Sequence, residues 1–157
     1  MTETLWLRNV RPRGGDAEDI RIADGCIAER RPAAAGDRDG GWIDGRGRLL
    51  LPALVESHAH LDKTLWGQPW RSNSAGPTLK DYIDNERRVL AGVEAPILTR
   101  AGDLLEQYIR RGTLALRSHV DVAPDIGLSH VEGMLALREL YAPGSTCSSS
   151  PFRRWAC

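Results

Sequence analysis

His58-Ala59-His60 is the pair of side chains in this sequence whose spacing best suits chemistry. In an extended strand, residues i and i+2 leave the same face with Cα atoms ~6.6 Å apart. Two imidazoles at a strand end can therefore grip one divalent cation at ~2.0–2.1 Å each. A catalytic zinc takes at least three protein ligands, and this pair supplies only two. The competing reading is two histidines at a strand end by coincidence, their ring nitrogens bonded to backbone. Asp62 follows closely and is placed either to orient a ligand histidine or to cap a loop. His119 and Asp121 share parity at the end of a later apolar run, so both can face the pocket or a ligand histidine. The alternative for His119 is a core histidine bonded to its neighbour. His130, in a helix's first turn, reads as a surface residue.

The elements that carry these residues are legible. Leu5 to Val10, Ile20 to Ile22 and Cys26 to Ala28 are strand-like, and Asp24-Gly25 between the last two is a hairpin signal. Loops rich in Gly, Pro and Arg separate them, and Trp42 to Asp44 adds another short strand. Residues 1–48 thus form a small β-module. Arg48 to Val55 is almost continuously apolar, which suits a strand buried on both faces of a parallel sheet. A long loop, residues 61–77, leads to a helix carrying Leu79, Tyr82, Ile83, Val89 and Leu90. A second helix, capped by Thr99, carries Leu104, Leu105, Tyr108 and Ile109 and ends at Gly112. Thr113 to Val120 is a second buried strand. Ser129 and Glu132 have capping-box spacing ahead of a third helix with Val131, Met134, Leu135 and Leu140. Strand, helices, strand, helix is the start of a βαβα pattern and predicts an α/β fold with a parallel sheet.

Composition removes other classes. With 21 basic and 21 acidic residues the net charge is zero, so no electrostatic case exists for a nucleic-acid or anionic-membrane partner. No window approaches the ~20 apolar residues of a membrane helix. The start lacks the pattern of a signal peptide, and three cysteines do not make a disulfide framework. A cytoplasmic protein is the expectation.

The run Leu50-Leu-Pro-Ala-Leu-Val-Glu-Ser-His58-Ala-His60-Leu-Asp62-Lys63 resembles the first barrel strand of the amidohydrolase superfamily. There an apolar strand of the form LPGLVDxHxH follows a small β-module and delivers two metal-binding histidines. The longer stretch His58 to Thr64, Gly67-Gln-Pro-Trp70 and Arg117-Ser-His-Val-Asp-Val122 is similar to the cytosine deaminase branch, whose relatives include s-triazine aminohydrolases. The resemblance covers residues ~1–140. It implies a metal-dependent (β/α)₈ barrel with one Zn or Fe ion held partly by His58 and His60. The metal would activate water for attack on a C–N carbon of a small N-heterocycle, releasing ammonia or an amine. It also implies a substrate or anion contact for Lys63, which stands out because Lys80 is the one other lysine; a solvated loop lysine is the alternative. Family members are often oligomeric.

The family's remaining ligands, from strands five and eight, and its proton-shuttling glutamate and histidine have no counterpart in this sequence, so no catalytic residue is assigned. A barrel needs at least ~200 residues, and about 110 follow the β-module. The expected organisation is a β-module over 1–48, the first two β/α units of an incomplete TIM-type metal-dependent hydrolase barrel over 49–142, and a tail over 143–157. The tail, rich in Ser and Cys and without periodicity, reads as disordered or frameshifted. The chain alone is expected to be inactive, with His58 and His60 as metal ligands and Asp62, Lys63, His119 and Asp121 near substrate or behind those ligands. Two alternatives remain: a cyclic amidase or N-acyl hydrolase of the same superfamily, and a non-catalytic fragment.

Overall fold

A computed structural model describes residues 4–34, 41–142 and the backbone of 154–156. The chain divides into two compact units, residues 1–52 and 53–157. The first is a four-stranded sheet in the order β3-β2-β1-β4, from β1 (Thr4–Pro12), β2 (Glu18–Ala23), β3 (Cys26–Pro32) and β4 (Gly41–Leu50). Ala23 pairs with Cys26 across the expected hairpin. Asp24 and Gly25 both take positive φ, 50° and 75°, as a two-residue turn of matching twist requires. Trp6, Val10 and Ile20 are the apolar centre of this sheet. Beside them the β1 ladder shifts register between Leu7 and Val10, and the freed amide of Asn9 donates to Oδ1 of the buried Asp19 at 3.0 Å.

β4 continues to Leu50, so the unit boundary falls after Pro52 and not after residue 48. The apolar run across it is not one buried strand. Pro52 has no amide hydrogen for a ladder, and the run splits into the end of β4 and the start of β5 (Leu54–Ala59). Leu49, Leu51 and Leu54 are exposed, and Val55 is 70% exposed.

The second unit pairs β5 in parallel with β6 (Thr113–Ser118), joined through α1 (Leu79–Ala91) and α2 (Ile97–Arg110); α3 (Ser129–Leu140) follows. This is the expected βαβα order. Arg154–Ala156, within the expected tail, runs as β7 parallel to β6; the rest of that tail lies outside the described residues. The core gathers Ala59, Leu61, Ala101, Leu105, Leu116, Met134, Leu137 and Tyr141. No helix among the described residues is long and apolar enough to cross a membrane.

Helix details depart from the periodicity reading. α2 begins at Ile97 behind Pro96, not at a Thr99 cap. α3 begins behind Leu128, and the Ser129 hydroxyl donates to the Ile126 carbonyl at 2.7 Å instead of capping. Its buried face is His130, Met134, Leu137 and Tyr141, spaced i, i+4, i+7, i+11, while Leu135 and Leu140 are exposed. In α1, Leu79, Tyr82 and Ile83 are exposed and the buried residue is Asn85, bonded to Ser74 and Asn73.

α1 does carry a full capping box. The Asp81 amide donates to Thr78 Oγ1 at 3.2 Å, and the Thr78 amide donates to Asp81 Oδ2 at 2.9 Å. Hydrogen bonds from the Thr78 side chain and then its backbone hold the Asp81 carboxyl below the ordinary aspartate value. A carboxyl lowered in the folded state stabilises fully above the unfolded value and stops stabilising as pH falls through the folded one. Thr78→Ala is therefore expected to weaken α1 by about 1 kcal/mol near neutral pH. It should also remove the acid-dependent loss of α1 amide protection, followed by hydrogen exchange. An unchanged acid profile in Thr78→Ala would show that the box does not control this helix end.

Candidate metal centre

β5 and β6 end side by side, and their last hydrogen bonds set the centre. The His119 amide, one residue past β6, donates to the Ala59 carbonyl at 2.8 Å. The Leu61 amide donates to the buried Ser118 hydroxyl at 3.1 Å. Ala59 and Leu61 point into the core, so alternation sends His58 and His60 the other way. His119 lands beside both. Its ring centroid is 4.1 Å from that of His58 and 5.6 Å from that of His60, and His58 and His60 are 5.6 Å apart. Partial loss of hydration and then the neighbouring His58, His60 and Arg117 push the His119 imidazole below its ordinary value, toward the neutral form that binds metals.

Behind His60 lies a carboxylate pair. Asp62 is fully buried (0% exposed). Its Oδ2 accepts from the Asp121 amide and meets His130 Nδ1, each at 3.0 Å. Its Oδ1 faces His60 Nδ1 at 3.6 Å, and Asp121 Oδ1 lies 3.7 Å from the same nitrogen. His60 Nδ1 and Asp62 Oδ1 are both buried without a hydrogen bond and lie 3.6 Å apart, just beyond bonding distance. The donor atoms of His60, Asp62 and Asp121 also lie within 4.8 Å of one another, close enough to share a cation.

Lys63 closes the far side. Its Nζ donates to Asp121 Oδ2 at 2.9 Å and Glu86 Oε1 at 3.0 Å. Burial alone would lower the Lys63 ammonium, but these two bonds outweigh it and raise it. For Asp121, burial pulls upward while the bond and charge of Lys63, then His60 and His130, hold the carboxyl below its ordinary value. An ammonium committed to two carboxylates is poorly placed to take an external anion.

His58, His60, Asp62, Lys63, His119 and Asp121 therefore all meet in one place. Two members escaped the sequence reading. His130 is not a surface residue: it is 7% exposed and holds Asp62 from α3. The i, i+4, i+7, i+11 spacing from His130 to Tyr141 was the signal that it belongs to the buried face. Glu86, on α1, had no signal, since only folding brings it to Lys63. A cleft of about 920 Å³ opens beside Lys63, Glu86 and Asp121 and is not lined by His58, His60 or His119.

No protein-family model matches the chain. Known proteins do. The solved structure of N-isopropylammelide isopropylaminohydrolase from Burkholderia multivorans is similar at 37% identity and TM-score 0.74, over 88% of this chain and 35% of that one. The 5-methylcytosine deaminase of Klebsiella pneumoniae follows at 26% identity and TM-score 0.68, over 97% and 35%. The chain matches the N-terminal part of amidohydrolases. The uncharacterized protein YahJ of Escherichia coli K12 is 32% identical over 138 residues, 86% of this chain and 30% of YahJ. The amidohydrolase segment described here thus spans about a third of the length of the relatives it matches. Its α/β fold, with a β-sheet module followed by parallel β/α units, is that of their N-terminal part. These two solved neighbours are hydrolases acting on non-peptide C–N bonds.

Proposed function

We propose that this chain is the metal-holding N-terminal segment of an enzyme that hydrolyses a C–N bond in a small N-heterocycle, as a cytosine-deaminase-like amidohydrolase. His58 and His60 are its metal ligands, for zinc or iron. The observation that carries this reading is the pair of orphaned buried atoms, His60 Nδ1 and Asp62 Oδ1. A neutral histidine facing two carboxylates through Nδ1 keeps its proton there, which leaves Nε2 as a lone pair for a cation. Asp62 and Asp121 orient that ring. His130 and the Asp121 amide hold Asp62, and Lys63 with Glu86 holds Asp121. In this reading Lys63 is a positioning residue and not a substrate contact. A cation at His58 and His60 supplies Lewis acidity that brings the pKa of a water toward ~7.

The test is a substrate screen of a protein that carries this segment on a complete barrel, loaded with zinc or iron. Release of ammonia or amine from pyrimidines and triazines should exceed hydrolysis of hydantoins and N-acyl amino acids. The reverse order would reassign the enzyme to the cyclic amidases or N-acyl hydrolases. Metal-loaded protein that hydrolyses neither set would make the segment a non-catalytic metal binder.

A further inference from the structure

We propose that Arg100 is a positioning residue for the centre: from α2 it pins the turn that presents Asp62 and Lys63, and so keeps the Lys63 ammonium on Asp121 and Glu86. The inference deepens the reading above, in which Lys63 holds a carboxylate that faces His60.

Asp62 and Lys63 are the central residues of a turn, closed by the Thr64 amide donating to the Leu61 carbonyl at 3.4 Å. The two ends of this turn are fixed in different ways. Leu61 is fully buried in the core, and its amide donates to the Ser118 hydroxyl at 3.1 Å. Thr64 is half-buried and outside that core, and its own hydroxyl is occupied by the Trp66 amide at 3.1 Å. What ties Thr64 to the rest of the unit is its carbonyl, which accepts from Arg100 Nη1. Arg100 Nε donates to a second carbonyl, that of Ala95, at 3.1 Å. Ala95 lies in the segment between α1, which carries Glu86, and α2. One guanidinium therefore fixes the backbone beside Lys63 and the segment behind the helix that supplies one of its two carboxylates.

The placement of this arginine is costly for packing alone. It is 4% exposed, and among the described residues its hydrogen-bond acceptors are two carbonyls and no carboxylate. A buried guanidinium on neutral acceptors loses hydration without a paired anion to replace it. The offset is the charge of Asp62, acting through space on a guanidinium that burial otherwise lowers. A neutral side chain would fill the position at less cost. Arginine adds a planar set of donors that reaches two carbonyls at once, together with a cation near a fully buried carboxylate. Arg110, on the same helix, shows the contrast: it is exposed and pairs with Glu106 one turn away. Arg100 instead lines the cleft that Lys63, Glu86, Asp121 and His130 also line.

The experiment uses the lysines, because Lys63 and Lys80 are the only two in the sequence and each reports in its own peptide. The Lys80 side chain is 81% exposed and that of Lys63 19%. Acetylation of the metal-free 157-residue chain, followed by mass spectrometry, gives both rates in wild type, Arg100→Gln, Arg100→Lys and Leu105→Ala. Circular dichroism verifies that each variant is folded. In wild type, Lys63 should react at least ~10-fold more slowly than Lys80, since its ammonium donates to two carboxylates. Both Arg100 variants should narrow that ratio to ~3-fold or less, because neither side chain spans the two carbonyls. Leu105→Ala removes a fully buried side chain from the same helix without touching Thr64, and should keep the wild-type ratio. Should Arg100→Gln not fold, Arg100→Lys carries the test. A wild-type ratio in Arg100→Gln, or in Arg100→Lys, overturns the pinning role of the two donors. An equal narrowing in Leu105→Ala reduces Arg100 to a stabiliser of α2 and overturns it as well. The measurement needs neither metal nor substrate, so its failure leaves the metal reading standing, and a failed substrate screen leaves this contact standing.

Discussion

His60→Ala, in a protein that carries this segment on a complete barrel, is expected to lose its bound cation and to slow turnover by at least ~10³-fold. The size follows from what the ring does at once. On the reading proposed above it offers Nε2 to the cation, and its Nδ1 faces the carboxylates of Asp62 and Asp121 at 3.6 and 3.7 Å. Removing the ring leaves Asp62 Oδ1 buried with nothing to face and takes one donor from a shell that tolerates no shortage. Asp62→Asn separates the two contributions. It keeps the side-chain volume but gives up the carboxylate's charge, so metal affinity should fall by a smaller ~10–100-fold. Metal content after dialysis and kcat/KM on the same preparations check both values. A His60→Ala protein that retains a full equivalent of metal and its turnover would remove His60 from the centre.

Asp62→Ala is the substitution with the largest expected effect on stability, about 3–5 kcal/mol. Asp62 is fully buried and is the shared acceptor of the Asp121 amide and the His130 ring, from two different elements. Its deletion strands both groups away from water and leaves a hole beneath His60. Arg100 adds to the cost: it is buried with its guanidinium bonded to the Ala95 and Thr64 carbonyls, and the Asp62 charge partly offsets the burial that otherwise lowers it. At about 2–4 °C per kcal/mol for a chain of this size, Tm should drop by roughly 10 °C. His130→Ala, which removes one of the two partners, should cost about 1–3 kcal/mol. The double variant should then be less destabilised than the sum, because both substitutions break the same bond. Urea unfolding of the four proteins measures this coupling. Additive losses, or an Asp62→Ala cost below 1 kcal/mol, would mean that the Asp62–His130 contact is not what ties the end of β5 to α3.

What this sequence determines by itself is what depends on near neighbours along the chain. Asp24-Gly25 dictates a hairpin because both positions must take positive φ, and alternation puts His58 and His60 on one face because the strand period is two. The order of strands and helices follows from runs of apolar residues in the same way. The His58-Ala-His60 motif with the apolar run before it already pointed to an amidohydrolase strand, since a histidine pair and its strand are local. Errors arose where periodicity admits two answers. α3 offers apolar residues on more than one face, and only packing against α2 selects the one that buries His130 with Met134 and Leu137. The leucines around Pro52 look like a buried strand, yet hydrophobicity states a preference and not a partner, and here Leu49, Leu51, Leu54 and Val55 remain exposed. The site's wiring was left to tertiary structure altogether. Asp62 and His130 are 68 residues apart, Asp62 and Asp121 59, and Lys63 and Glu86 23. No helix or strand period spans such separations. It is the parallel pairing of β5 with β6, with α3 packed behind, that brings three imidazoles to one strand end and turns a buried carboxylate toward the middle one.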